Sequence, residues 1–140
     1  MKTTIKFSFG EVKMSARLID GDVQFPCDDS RFNHHYKYQI SLYYDGRVRK
    51  FTYMTSYYDW HEGQEELDES DFKHALNCFL SDSYAAQDSF EFFCDEFGYS
   101  NDSIKALKIY KACKRDAKKA KFVFADLDLL KIQNELEEME

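Results

Sequence analysis

Four cysteines and four histidines have the widest chemical range in this chain, and their spacing argues against a reaction centre. Cys27, Cys78, Cys94 and Cys113 each lie more than a dozen residues apart, and no CxxC or HxxxH pair occurs. Such pairs are how one short segment offers two ligands to zinc. Cys94 and Cys113 fall instead on the apolar faces of expected helices, where a thiol behaves as a small hydrophobe. Cys27 with His34 and His35 could supply three ligands from one loop, but adjacent histidines seldom chelate one ion, so neither a metal nor another cofactor is expected. The carboxylates near His61 and His74 are those any acidic surface would show. No GxxxxGK, GxGxxG, GxSxG or HExxH occurs. The density of Asp and Glu makes a nuclease the first enzyme to consider, yet nothing resembles a strand-borne acid cluster with a partnered Lys. The chain reads as a protein that binds and does not catalyse.

Binding chemistry is concentrated in two stretches. The first, acidic and aromatic at once, is Tyr57, Tyr58, Asp59, Trp60, Glu62, Glu65, Glu66, Asp68 and Glu69. Tyr and Trp give large contact area at low entropic cost, and carboxylates attract a basic partner over long range. These nine residues are the expected partner-binding surface. The competing reading is a connection whose rings fold back over the end of a sheet. The second stretch is Lys105, Lys108, Lys111, Lys114, Arg115, Lys118 and Lys119, on an expected long helix, which could track phosphates. These side chains circle the exposed side of the helix instead of forming one stripe, and acidic segments flank them. A solvated face paired with its acidic neighbours is therefore expected, and direct nucleic-acid binding is not.

The net charge of −7 conceals this segregation. Residues 57–104 hold thirteen acidic and one basic side chain, whereas residues 105–121 hold one acidic and eight basic. Residues 1–56, with nine basic and six acidic, are only mildly positive.

The elements that must position these groups can be taken in order. Thr4 to Phe9 and Val12 to Leu18 alternate apolar and polar positions, the period of half-buried strands, with Gly10-Glu11 as the turn between them. Asp20-Gly21-Asp22 turns the chain. Tyr36 to Ser56 is a hairpin about Asp45-Gly46, a pair suited to the positive φ angles of a type I′ turn. That turn sets Leu42 opposite Arg49, Ile40 opposite Phe51 and Tyr38 opposite Tyr53. Lys37, Gln39, Ser41, Lys50 and Thr52 then share the wet face.

Asp68 is the expected N-cap of a helix reaching about Tyr84, with Leu67 and Phe72 as its hydrophobic staple. Asp88 and Glu91 have capping-box spacing for a short second helix that stops at Gly98. Asp102 starts a long third helix, lined inside by Ala106, Tyr110, Cys113, Ala117, Ala120 and Phe124. Asp126 to Glu140 is a last helix with Leu127, Leu130, Leu136 and Met139 as apolar points. The fold class is α+β, an antiparallel sheet packed on one face by three to four helices. Tyr38, Ile40, Phe51, Phe79, Phe93 and Tyr110 should be buried together.

At 140 residues the chain fits one domain. At 44% hydrophobic and 17% aromatic it is too apolar for disorder. No run approaches a membrane helix and the first residues form no apolar signal core, so a cytoplasmic location is expected.

Several runs resemble small proteins widely encoded by phages and prophages. These are Ala75-Leu76-Asn77-Cys78-Phe79-Leu80-Ser81-Asp82, Ser89 to Tyr99, Asp102 to Ala106, and Ile109 to Cys113. In that family "LxSDA", "SFExFCxEFGYxxDSxKA" and "IYxAC" recur in this order after a hairpin. The resemblance covers about residues 36–122, with Ser83-Tyr84 departing from the small residues usual after Ser-Asp. Its motifs are capping and core residues and transfer no active site. It implies a mobile-element origin and a bacterial-host setting, where small acidic proteins often inhibit host defence. Anti-CRISPR proteins, which block an RNA-guided nuclease, are among them. The expected partner is accordingly a host defence protein, first a CRISPR-associated nuclease, met by the acidic aromatic surface. The alternative is a phage accessory protein binding nucleic acid through the basic helix.

Overall fold

The computed structural model describes residues 1–24, 34–57, 66–81, 89–97 and 99–139. Its strands are β1 (Lys2–Phe7), β2 (Gly10–Gln24), β3 (His34–Tyr44) and β4 (Arg47–Tyr57), its helices α1 (Glu69–Leu80), α2 (Phe90–Phe97), α3 (Ile104–Ala120) and α4 (Leu129–Glu138). A short 3-10 turn, Lys121–Phe124, follows α3 directly. The strands form one antiparallel sheet in the order β1-β2-β3-β4. The protein is thus α+β, and no described helix is long and apolar enough to cross a membrane.

Asp45 and Gly46 both have positive φ, 50° and 76°, as a type I′ turn requires. The register that follows pairs Leu42 with Arg49, Ile40 with Phe51 and Tyr38 with Tyr53. Ile5, Phe7, Val12, Met14, Tyr36, Tyr38, Ile40, Leu42, Phe51 and Tyr53 are all buried, and strand alternation puts them on one inner face. Phe79 of α1 stacks on Phe51 at 4.6 Å, and Phe124 sits 5.9 Å from Tyr44, so α1 and the 3-10 turn cover that face. α4 packs on α1, while α2 packs on α3, with Phe93 within 5.3 Å of Tyr110. All six residues expected to be buried together belong to one core cluster.

α3 lies along β4 and barely reaches β3, so it flanks the sheet's edge and does not lie across a face. Ala106, Cys113, Ala117 and Ala120 are small enough for that close approach. Met54, out of phase with the inner face, is consequently only 1% exposed. An edge strand covered by a helix cannot recruit another strand.

Several boundaries differ from the sequence reading. The first hairpin turns at Ser8-Phe9, because Phe7 pairs with Gly10, whose φ of 140° suits glycine. β2 does not turn at Asp20-Gly21-Asp22. It runs to Gln24 and takes up the extra residues as register shifts between Leu18 and Val23. Such bulges let a turn-like sequence remain inside a strand. α1 has the expected Asp68 cap, closed by Asp71 into a capping box, but ends at Leu80, where the Ser81 hydroxyl bonds back to the Asn77 carbonyl. The same hydroxyl lies 3.3 Å from the Cys78 carbonyl, one of the terminal carbonyls that a helix leaves without a regular partner.

For α2, Asp88 and Gly98 lie outside the described residues; Ser89 Oγ accepts from Phe92 N, and Tyr99 N donates to the Cys94 carbonyl, the long bond of a Schellman ending. α3 is capped by Ser103, since Asp102 is engaged by the Ser100 hydroxyl. In α4 the buried residues are Ile132 and Leu136, with Leu130 63% exposed, because Asp128 caps the helix two residues later than Asp126 and fixes another phase.

Two contacts generate tests. The Ser8 amide and hydroxyl donate to the two carboxylate oxygens of Glu135 at 2.8 and 2.9 Å, which lowers the Glu135 pKa from its usual 4.5. A lowered acid stabilises the fold above its unfolded pKa and loses that contribution as pH falls through the folded value. Wild type should therefore melt above Glu135→Ala at neutral pH, and the gap should close below 4.5. A gap unchanged in acid would mean the carboxylate charge is not what holds α4. Tyr110 Oη is buried without a hydrogen-bond partner among the described residues. An unsatisfied buried hydroxyl costs about 1–3 kcal/mol, so Tyr110→Phe should keep or raise the melting temperature. A clear drop would show that the hydroxyl has a partner in the native protein.

Candidate binding surfaces

Most of the expected acidic surface lies outside the described residues: Tyr58, Asp59, Trp60, Glu62 and Glu65. Tyr57 ends β4. Glu66, Asp68 and Glu69 are exposed at the start of α1. The Leu67 amide donates to Met1 Sδ at 3.0 Å, and Ala16 N donates to the Met1 carbonyl, so this acidic start is tied to the first hairpin. Asp68 is engaged in the capping box, and Glu69 reaches Lys73 at 3.6 Å.

What faces this helix start is set by packing and leaves no mark along the sequence. Glu69, Asp71, Lys73 and His74 line an open cleft of about 690 Å³ with Met139, the residue after α4. The exposed Glu137 and Glu138 precede Met139, so an acidic helix end meets an acidic helix start. Periodicity along one segment cannot reveal that meeting, which depends on how α1 and α4 pack.

His74, on this cleft, belongs to the only close thiol and imidazole pair among the described residues, with the buried Cys78 Sγ 3.6 Å from its Nε2. Tyr53 packs edge-on to His74. The geometry suggests a nucleophile and its base, but the electrostatics do not. Burial pushes the Cys78 thiol up to about 11 and raises Tyr53 well above its usual value. A working thiol needs the opposite shift. Cys113 is likewise pushed up to about 11, by burial first, against the opposing charge of Lys37. Burial and the neighbouring Asp95 also raise Cys94. All three are free and buried. Cys27 lies outside the described residues, and among those described no cluster of three metal-ligating side chains occurs.

The seven basic residues of α3 fare differently. Lys105, Lys108, Lys111, Lys114, Arg115, Lys118 and Lys119 are all exposed. The expected pairing with acidic neighbours is not seen: among the described residues none of the seven forms an ion pair, and Lys114 lies 5.1 Å above the Tyr110 ring.

A third charged surface was only half seen in the sequence. Lys37 and Lys50 were placed on the wet side of the β3–β4 hairpin, but β1 and β2 add Lys2, Lys6, Lys13 and Arg17 to that same face. Strand alternation carried this signal; the linear charge count masked it, because the six acids of residues 1–56, Glu11 of this face among them, offset these bases. No family model matches the chain, and neither does any curated protein or solved structure.

In a Cys27→Ser background, Ellman's reagent at about pH 8 should react slowly with the native protein and with all three remaining thiols after unfolding, since a thiol of pKa 11 is only about one part in a thousand thiolate there. His74→Ala should not change the native rate. A fast native reaction that depends on His74 would reinstate the pair as reactive.

Proposed function

We propose that the protein acts by binding, as a non-enzymatic inhibitor of a host defence effector, most specifically an RNA-guided nuclease, through the acidic surface that begins at β4 and continues into α1. The observation that supports this most directly is where the acids of α4 stand. A helix C-terminus favours cations, each worth about 0.3–1 kcal/mol. The last turn of α4 holds no base and carries Glu137 and Glu138. These two carboxylates work against their own helix while enlarging the acidic surface beside Glu66, Asp68 and Glu69. A nucleic-acid channel lined with Lys and Arg is the partner such a surface would compete for.

A second reading rests on α3. Lys105 occupies its first turn, which contains no acid, although a helix N-terminus disfavours cations. Seven exposed bases that form no ion pair among the described residues are what phosphate tracking requires.

Reversing Glu62, Glu65 and Glu66 to Lys inverts the charge of this stretch, and circular dichroism checks that the variant keeps its fold. In cells carrying an RNA-guided nuclease and a targeted plasmid, wild type should protect the plasmid and the triple variant should not. Against the purified effector, the variant's association rate should fall by about tenfold or more, with wild-type binding weakening as salt rises. Equal protection by both proteins would remove the acidic surface from the mechanism. A gel-shift titration separates the second reading: steeply salt-dependent binding of bare duplex, lost in Lys111→Glu/Lys118→Glu, would favour α3.

A further inference from the structure

We propose that the outer face of the sheet is a binding surface for single-stranded nucleic acid. It is separate from the acidic surface and from α3, and rests on neither of the readings above.

The argument begins with the registers. Across the outer face, neighbouring strands set Thr4, Lys13, Tyr43 and Val48 in one row and Lys2, Ser15, Ser41 and Lys50 in the next. Arg17, Gln39 and Thr52 follow, then Lys37. Lys6 and Glu11 form the row at the other end. Among the described side chains of this face there are thus six cations and one carboxylate. Lys2, Lys6, Lys13, Arg17 and Lys50 are exposed, and none forms an ion pair among the described residues. Arg17 is held by Gln39 Oε1 at 3.1 Å. The described helices leave most of the face open: α1, the 3-10 turn and α4 lie on the other side, and α3, flanking β4, reaches only the row of Lys37, whose partner Met54 is buried and whose charge acts on Cys113.

The shape of the face then selects the ligand. Small Ser15 and Ser41 sit at its centre with cations around them, so the middle is a shallow trough. At one side Lys2, Thr4, Lys13, Ser15 and Tyr43 line a hollow of about 330 Å³, within the range of small-ligand sites. Tyr43 is 40% exposed, whereas Tyr36, Tyr38 and Tyr53 on the inner face are buried. The hollow therefore combines an aromatic ring, two ammonium groups and two hydroxyls. That combination is what a nucleotide needs: a surface on which its base stacks, cations for its phosphate and hydroxyls for its polar edge.

Duplex is the poorer fit. Four strands about 4.8 Å apart are broader than the ~12 Å major groove, which admits a helix or a two-stranded ribbon. A duplex also hides the base faces that Tyr43 could stack upon. An acidic protein segment would meet the cations but gain nothing from the ring.

Fluorescence anisotropy with a labelled oligothymidylate of about 15 nucleotides, at about 50 mM salt, tests this. Wild type should bind saturably. Lys2→Glu/Lys13→Glu/Lys50→Glu should weaken binding about tenfold or more. Tyr43→Ala should weaken it about fivefold or more with the salt slope unchanged, because stacking carries no counterion release. The α3 variant Lys111→Glu/Lys118→Glu should stay within about twofold, as its bases lie on another surface. Should the triple reversal fail to fold, the Gln versions at the same positions replace it, and circular dichroism checks each protein. Four outcomes would each overturn the proposal: no saturable binding, Tyr43→Ala indistinguishable from wild type, an α3 variant as damaged as the sheet variant, or duplex or polyglutamate binding as tightly as the oligothymidylate.

Discussion

Everything on both sides of the sheet depends on the register fixed at Asp45-Gly46. In a strand the side-chain period is two, so a slip of one residue would exchange the two faces completely. Tyr38, Ile40, Leu42 and Phe51 would go to solvent, and Lys37 and Lys50 would be forced against Phe79 and Phe124. Both turn residues sit at positive φ, a geometry that matches the strand twist and admits few alternatives. The same two residues therefore decide where the core forms and which way the bases point. The inner face is then sealed by aromatic contacts, Phe51 on Phe79 and Phe79 beside Phe124 at 6.4 Å, which bind α1 and the 3-10 turn to one sheet.

Charge in this protein is distributed by architecture more than by composition. The helical layer turns its polar sides away from the core, and those sides are acidic in α1, α2 and α4. The sheet turns its polar side the other way, and that side is basic. The seven exposed bases of α3 stand at the boundary, along β4. A molecule of net charge −7 thus presents surfaces of both signs. Near each surface the local potential matters more than the total, because charges beyond about 8–10 Å are screened at physiological salt. Glu137 and Glu138 in α4, and Lys105 in α3, stand at helix ends that disfavour them. Charges placed against their own helices suggest a use outside the fold.

The parts legible in the sequence were those encoded locally. The type I′ turn, the Asp68 cap and the buried stripe of α3 each lie within a few residues, and each has a backbone reason. Boundaries set by competition between nearby groups were harder. Ser103 capped α3 because Ser100 had taken Asp102, and β2 continued through Asp20-Gly21-Asp22 because pairing with β3 absorbed the extra residues. Features formed by distant segments were not legible at all. The Glu69–Met139 cleft, the His74–Cys78 pair beside Tyr53 and the covering of Met54 all need the packed structure. The outer basic face was intermediate. Its alternation was present in β1 and β2, but seeing it required joining two hairpins into one sheet.

The clasp between Ser8 and Glu135 spans 127 residues. During synthesis the first hairpin leaves the ribosome long before α4 exists, so its turn must wait with the Ser8 amide and hydroxyl solvated. Ile5 and Val12 meanwhile lack the helical layer that covers them in the finished protein. Closure between chain ends is a late and slow kind of contact, since its loop entropy must be met before the contact forms. A ribosome-bound chain stalled before α4 would hold the Asp45-Gly46 hairpin in register while its helical cover remained unfastened. The nascent protein would thus have its outer sheet face in place well before its acidic helical end.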